Sequence, residues 1–253
     1  MEHFFSLTEK VALVTGASRG LGQAIAIALA QAGATVICSS SRQGGTEDTI
    51  SKIKAQGGTA FGIAADLTSR EAVKNLAKSA WDKFGKIDIL VNNGGTIARY
   101  PATDFPLDEW DRVIEVNLTA TFYLAQLIGS KMIEQGHGKI INIASMLSYS
   151  GGITVPAYTA SKHGVAGVTK ALANEWATYN LQINAIAPGY FRTDNTQKLQ
   201  EDSIRSEAIQ NRIPANRWGN PSDLGGAVVF LASKASDYVN GTIINVDGGW
   251  MAR

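Results

Sequence analysis

Apolar residues along this chain fall into short continuous runs separated by longer amphipathic stretches. The runs are Val11 to Thr15 (VALVT), Ala34 to Ser39, Thr59 to Ala64, Ile87 to Val91 (IDILV), Lys139 to Ala144, Leu181 to Ala187 and Thr242 to Val246. They are too short for helices and lack strict alternation, which suits strands covered on both faces of a parallel sheet. Between them, helical spacing is predicted from Leu21 to about Gly33, from Glu47 to Gln56, and from Leu107 to about Glu134. A further helix, opened by the capping-box spacing Thr68-Ser69-Arg70-Glu71, runs to about Phe84, and another spans Val155 to Thr178. Asn220-Pro221 starts a last one. Seven strands alternating with helices predict one doubly wound α/β domain over residues 1–253, with a seven-stranded parallel sheet and helices on both faces. The stretch Tyr190 to Arg217 breaks the rhythm. It is more polar, holds only a short helical piece around Asp202 to Gln210, and reads as a substrate lid around 190–217.

The first strand runs directly into Thr15-Gly16-Ala17-Ser18-Arg19-Gly20-Leu21-Gly22 and then into a helix. Glycines in that position let backbone amides approach a pyrophosphate, and the helix N-terminus adds a favourable field. The context therefore predicts a Rossmann-type dinucleotide site at Thr15, Gly16, Ser18, Arg19, Gly20, Leu21 and Gly22. The second strand ends in Ser39-Ser40-Ser41-Arg42, where such folds usually carry an acid for the ribose hydroxyls. None is present, so Ser40, Ser41 and Arg42, with Arg19, are assigned to a 2′-phosphate: NADPH/NADP rather than NADH/NAD. After the third strand, Ala65, Asp66 and Leu67 stand where an acid accepts from an adenine amino group. Asn93, Gly94 and Gly95 follow the fourth strand, and Pro188, Gly189 and Thr193 the sixth. In an open α/β sheet the ligand lies outside these strand ends.

Candidate chemistry lies after the fifth strand. Tyr158 and Lys162 are four residues apart, on one face of the predicted helix, and Ser145 ends the strand before it. A phenol titrates near pH 10, too high for efficient acid–base work at neutral pH, and a neighbouring ammonium lowers that value. Lys162 is the expected neighbour. Asn117, among apolar residues in VIEVNLTATF, is costly there unless its amide is satisfied or used.

Composition narrows the classes. The 253 residues are 45% hydrophobic and 18% charged with a net charge of +1, which gives no electrostatic case for nucleic acid or an anionic membrane. The single cysteine, Cys38, rules out an intramolecular disulfide and is expected to be buried. No apolar run reaches bilayer length, and MEHFFSLTEK lacks a secretory pattern, so a cytoplasmic location is expected. His3, His137 and His163 show no metal-ligand spacing, and no metal is expected.

These motifs together resemble the short-chain dehydrogenase/reductase family over essentially the whole chain. Thr15 to Gly22 resembles its coenzyme fingerprint, and Asn92-Asn93-Gly94-Gly95 its Asn-Asn-Ala-Gly signature, with Gly94 in place of Ala and looser packing expected there. The resemblance implies that Asn117, Ser145, Tyr158 and Lys162 are catalytic. Ser145 and Tyr158 would stabilise the carbonyl oxygen, with Tyr158 giving its proton. Lys162 would hold the nicotinamide ribose, and Asn117 a proton-reloading water. Asp66 matches the adenine contact, and Pro188 to Thr193 the segment over the nicotinamide. A homotetramer is implied as well.

Further stretches, among them ANEWA at 173–177, NAIAPGY at 184–190 and RIPANRWGNPSDL at 212–224, are similar to 2-dehydro-3-deoxy-D-gluconate 5-dehydrogenases and to reductases of alginate-derived keto uronates. With NADPH this implies reduction of 4-deoxy-L-erythro-5-hexoseulose uronate to 2-dehydro-3-deoxy-D-gluconate. Arg99, Arg192 and Arg217 are candidates for a substrate carboxylate. Asn195 and Gln197 are candidates for hydroxyls, and Met146, Tyr149 and Gly151 for the remaining wall. Two alternatives are a 3-oxoacyl-thioester (acyl carrier protein) reductase and a non-catalytic NADPH-binding sensor. The absence of a concentrated basic run argues against the first, and the complete catalytic set against the second.

Overall fold

The computed structural model describes residues 4–252, apart from the side chains at positions 195 and 198; His3 lies outside it. The apolar runs form β1 (Val11–Val14), β2 (Thr35–Ser40), β3 (Thr59–Ala64), β4 (Ile89–Asn92), β5 (Gly138–Ile143), β6 (Leu181–Pro188) and β7 (Ile243–Val246). All pair in parallel, in the order β3-β2-β1-β4-β5-β6-β7. The helices are α1 (Gly20–Gln31), α2 (Glu47–Ala55), α3 (Arg70–Phe84), α4 (Leu107–Ile114), α5 (Ala120–Gln135), α6 (Pro156–Trp176), α7 (Gln197–Glu201), α8 (Ser203–Arg212) and α9 (Gly225–Ala232).

Burial of the sheet on both faces explains the unalternated runs. One apolar layer packs Ala12, Val14, Val36 and Ile141 against α1 and α9. The other packs Leu13, Ile37, Leu90 and Ile140 against α3 and α5. Each such Val, Leu or Ile contributes about 1.5–3 kcal/mol of burial. At the foot of the sheet, buried Asp88 accepts hydrogen bonds from the Val11 amide (2.9 Å) and Lys10 Nζ (3.0 Å), and meets His137 Nε2 at 3.0 Å. Burial alone would raise the Asp88 carboxyl, but these partners outweigh it and hold the group below its ordinary value. The cluster ties the starts of β1, β4 and β5 together, at the end of the sheet away from the coenzyme loops.

Three local expectations change. The predicted helix over 107–134 is divided: a π-helical turn, Glu115–Thr119, separates α4 from α5. The cap of α3 is Ser69, which accepts from the Ala72 amide at 3.2 Å, and not Thr68, whose own amide is taken by Asp66 Oδ1 at 3.0 Å. Asn220-Pro221 opens a 3-10 turn, Pro221–Leu224, which leads into α9. Cys38 is fully buried, and burial raises its thiol to about 12, which leaves a packing role. Among the described residues no helix is long and apolar enough to cross a membrane.

β1 and β4 are neighbours whose outgoing connections diverge, so the strand order reverses between them. A crevice opens at their C-terminal ends, as it does in doubly wound sheets.

Candidate active site

The crevice is a cleft of about 860 Å³, and the phosphate loop forms its floor. Gly16 and Gly20 sit at φ +63° and +56°, in the left-handed region where a side chain would be strained. A Cβ on Gly22 would collide with the Gly16 carbonyl and with Asn93 Nδ2. Asn93 is the strut: its Nδ2 donates to the carbonyls of Thr15 (2.9 Å) and Gly16 (3.1 Å). Thr15 Oγ1 in return accepts from the amides of Asn93 (3.1 Å) and Gly94 (2.9 Å). The α1 N-terminus has no side-chain cap and no acid in its first turn. Its orphan amides point along a helix dipole, and that donor set fits a dinucleotide pyrophosphate. Gly94 does not loosen the packing as expected, because Leu67 Cδ1 fills the space an alanine methyl would take.

The candidate reacting groups stand at the end of β5 and on α6. Ser145 follows β5 near the Tyr158 phenol, whose value its hydroxyl pulls down, and its Oγ accepts from the Leu147 amide at 3.1 Å. Ser148 Oγ donates to the Lys162 carbonyl at 2.7 Å, tying the turn after β5 to α6. Lys162 is buried; its Nζ donates to the Ile143 carbonyl at 2.6 Å and lies 5.6 Å from the Tyr158 ring centre. Burial lowers its ammonium to about 8. Burial likewise raises the Tyr158 phenol, while the Ser145 hydrogen bond and the Arg99 charge pull it down less strongly. That corrects the expectation: the cation that depresses the phenol is Arg99, and burial wins. A phenol held neutral is a proton donor, which suits carbonyl reduction.

Asn117 occupies the π turn. Its Nδ2 donates to the Thr96 carbonyl (2.9 Å) and Ser161 Oγ (3.1 Å), and its Oδ1 accepts from the Thr96 amide at 2.7 Å. This accounts for a buried asparagine on an apolar helix face. It also explains the wide turn, since the side chain braces the backbone after β4 from within the helix.

Residues 10–204 match the family described as short chain dehydrogenase. This chain belongs to the short-chain dehydrogenase family. It is an oxidoreductase, which removes the reading as a sensor without chemistry. It is 53% identical over 249 residues to the 2-dehydro-3-deoxy-D-gluconate 5-dehydrogenase of Bacillus subtilis (strain 168), covering 98% of this chain and 97% of that one. A crystal structure from Agrobacterium tumefaciens with bound NADP is 50% identical, with a TM-score of 0.94 and coverage of 100% of both chains. A gluconate 5-dehydrogenase from Burkholderia cenocepacia J2315, in complex with NADP and tartrate, is 38% identical with a TM-score of 0.95, covering 99% of this chain and 98% of that one.

In this short-chain dehydrogenase the cleft gathers most of the residues expected from the sequence. Ser18, Arg19, Leu21, Ser40, Ser41, Ala65, Asp66 and Leu67 line its coenzyme end. Gly95, Pro188, Gly189, Thr193, Arg99, Met146 and Gly151 line the rest. Arg42 is exposed just past Ser41 and is not part of the wall. Tyr149, Arg192 and Gln197 are also outside it, and Gln197 bonds Glu201 instead at 2.7 Å. Arg217 is outside because Asp223 holds it at 2.6 Å. The Asn195 side chain lies outside the described residues.

The sequence reading missed Arg205 and Arg212, which enter the cleft from α8, and Tyr190 and Trp250. A signal existed. Positions 205 and 212 are two helical turns apart, so they share one face of α8. Arg212 lies over the Trp250 ring at 4.1 Å, and Tyr190 packs against the same ring at 4.8 Å.

Proposed function

We propose that this short-chain dehydrogenase interconverts a carbonyl and a hydroxyl on a sugar acid with NADP(H). One observation carries the reading: Ser145, Tyr158 and Lys162 share a single cleft with Arg99, Arg205 and Arg212. A keto sugar acid has the two groups such a cleft addresses, a carbonyl for Tyr158 and a carboxylate for an arginine. The name of the Bacillus relative supports the sugar-acid class, and the NADP held by two solved relatives supports the phosphorylated coenzyme. No acid follows β2 in this chain, and Ser40 and Ser41 line the cleft there. We assign the 2′-phosphate to these hydroxyls with Arg42 and Arg19.

When bound, the coenzyme supplies or accepts the hydride. Tyr158 then hydrogen-bonds the carbonyl oxygen and gives its proton as negative charge develops there, with Ser145 as second donor. Lys162 holds the nicotinamide ribose and leaves positive charge beside the phenolate that remains. Both amide hydrogens of Asn117 are already used, so a proton-reloading water would meet its Oδ1. Oxidation follows the same path in reverse.

We take reduction of 4-deoxy-L-erythro-5-hexoseulose uronate to 2-dehydro-3-deoxy-D-gluconate as the reaction. A second reading, favoured by the Bacillus relative's name, places the chemistry at C5 of 2-dehydro-3-deoxy-D-gluconate. The product formed from 2-dehydro-3-deoxy-D-gluconate with NADP separates the two. The first reading returns the uronate, with an aldehyde at the end away from the carboxylate; a ketone at C5 moves the chemistry there. For the working unit we infer a homotetramer, because β7 leaves one sheet edge half-exposed and Phe122 stands out from α5. Light scattering that finds a monomer at micromolar concentration would reject it.

A further inference from the structure

Among the described residues five arginines line the cleft, and they are not equivalent. Arg112 is spent on Glu109 (3.0 Å from Nε) and on Thr96 Oγ1 at 2.7 Å. Arg19 is paired with Asp194 at 3.2 Å. Arg212 lies over the Trp250 ring. Arg99 stands close enough to Tyr158 for its charge to act on the phenol. Arg205 is the remaining one and, like Arg99, makes no ion pair among the described residues.

Its place in α8 is unfavourable for folding. Asp202 caps the helix by accepting from the Arg205 amide at 3.1 Å, so Arg205 sits in the first turn. A cation there faces the positive end of the helix dipole and costs a few tenths of a kcal/mol. The cost brings no protein partner, and the side chain lines the cleft. The two acids on the cleft wall are both engaged elsewhere, Asp66 with the Thr68 amide and Asp194 with Arg19.

We infer that Arg205 is the ligand of the substrate carboxylate, and that it selects sugar acids whose carboxylate is at the opposite end of the carbon chain from the reacting carbonyl. The inference rests on the sugar-acid reading above. Arg99 follows Ala98, which packs in one cluster with Tyr158, so an acid bound by Arg99 would place its carboxylate beside the reacting carbon. Arg205 comes from α8, whose Ile209 packs with Trp218, Tyr190 and Trp250 in a cluster separate from that of Tyr158, and suits a six-carbon acid that reacts at its far end. The guanidinium fork offers two parallel hydrogen bonds, which a lysine cannot reproduce.

The test uses the NADP-loaded protein with D-gluconate and D-glucitol, a charged and a neutral polyol of equal length. In calorimetry, Arg205→Ala should weaken gluconate binding about ten- to a hundredfold and leave glucitol binding unchanged. Arg205→Lys should recover part of the loss. In turnover of a keto sugar acid, KM should rise by a similar factor while kcat changes little. An unchanged melting temperature and NADP affinity would show that the lid is intact. Equal weakening of both polyols, or a gluconate loss confined to Arg99→Ala, overturns the assignment while the sugar-acid reading stands. A wild-type protein that ignores gluconate and keto sugar acids but reduces an acetoacetyl thioester takes down that reading, and this inference with it.

Discussion

The two ends of the cleft are built from different materials. At the coenzyme end, backbone does the work: Asn93 holds the Thr15 and Gly16 carbonyls, Thr15 Oγ1 takes the Gly94 amide, and α1 offers uncapped amides. At the end proposed for the substrate, side chains do it, with Arg205 and Arg212 on the polar helix α8 and aromatic rings behind them. Backbone recognition tolerates almost no substitution, because a side chain would be strained at Gly16 and Gly20 and would collide at Gly22. Side-chain recognition changes by single substitutions at exposed positions. The contrast explains how one fold keeps a common coenzyme chemistry while its substrates vary. Between the two ends stand Ser145, Tyr158 and Lys162, which belong to both.

Changes at the junction should have the largest effect. Tyr158→Phe keeps the ring and removes the proton, so kcat should fall by about 10²–10⁴ while NADP affinity stays within roughly twofold. Retained turnover would sink the acid–base role. Next comes the backbone end. Gly22→Ala places a methyl against the Gly16 carbonyl and Asn93, and overpacking of this kind costs about 1–3 kcal/mol. Both melting temperature and coenzyme affinity should drop. A Gly22→Ala protein with normal NADP affinity would mean the loop is not the rigid element described above.

Lys162 gives an effect confined to a pH window. Its folded-state value is lowered to about 8 by burial, below the unfolded value near 10.4. Between these values the unfolded chain binds more protons than the folded one, so stability of the coenzyme-free protein should rise with pH through that window. The gain should approach roughly 3 kcal/mol, from about 1.4 kcal/mol per pH unit. Urea midpoints of wild type and Lys162→Met between pH 7.5 and 10 test it, with the rise expected only in wild type. The smallest effect belongs to an exposed side chain at the coenzyme end. Arg42→Ala should weaken NADPH about tenfold and leave NADH unchanged, as expected for one lost charged hydrogen bond of about 1.5 kcal/mol. Equal affinities for NADPH before and after would remove Arg42 from the 2′-phosphate site.

The same division governs how much the sequence reveals. Strands buried on both faces write themselves as unbroken apolar runs, and all seven were legible within a residue or two. Glycine spacing and the Tyr158, Lys162 pair were legible because chemistry fixes residue type and separation together. The π turn was not, since its cause is the contact of Asn117 with Thr96, 21 positions away. The arginines on and after α8 were misread for a similar reason. Arg217 stands in a loop near the cleft in sequence, yet Asp223 takes it; Arg205 looks like an ordinary surface residue until α8 is turned to face Tyr158's cleft. Side-chain recognition depends on orientation, and orientation is set by packing that no local pattern records.

The most direct test of the account is the ratio of kcat/KM for NADPH-dependent reduction of 4-deoxy-L-erythro-5-hexoseulose uronate to that for an acetoacetyl thioester. The account predicts a ratio of at least about a hundred, because the thioester has no carboxylate for the arginine-lined end of the cleft. A ratio below one would contradict it: Ser145, Tyr158 and Lys162 would keep their roles, and the substrate half would have to be reassigned to an acyl chain.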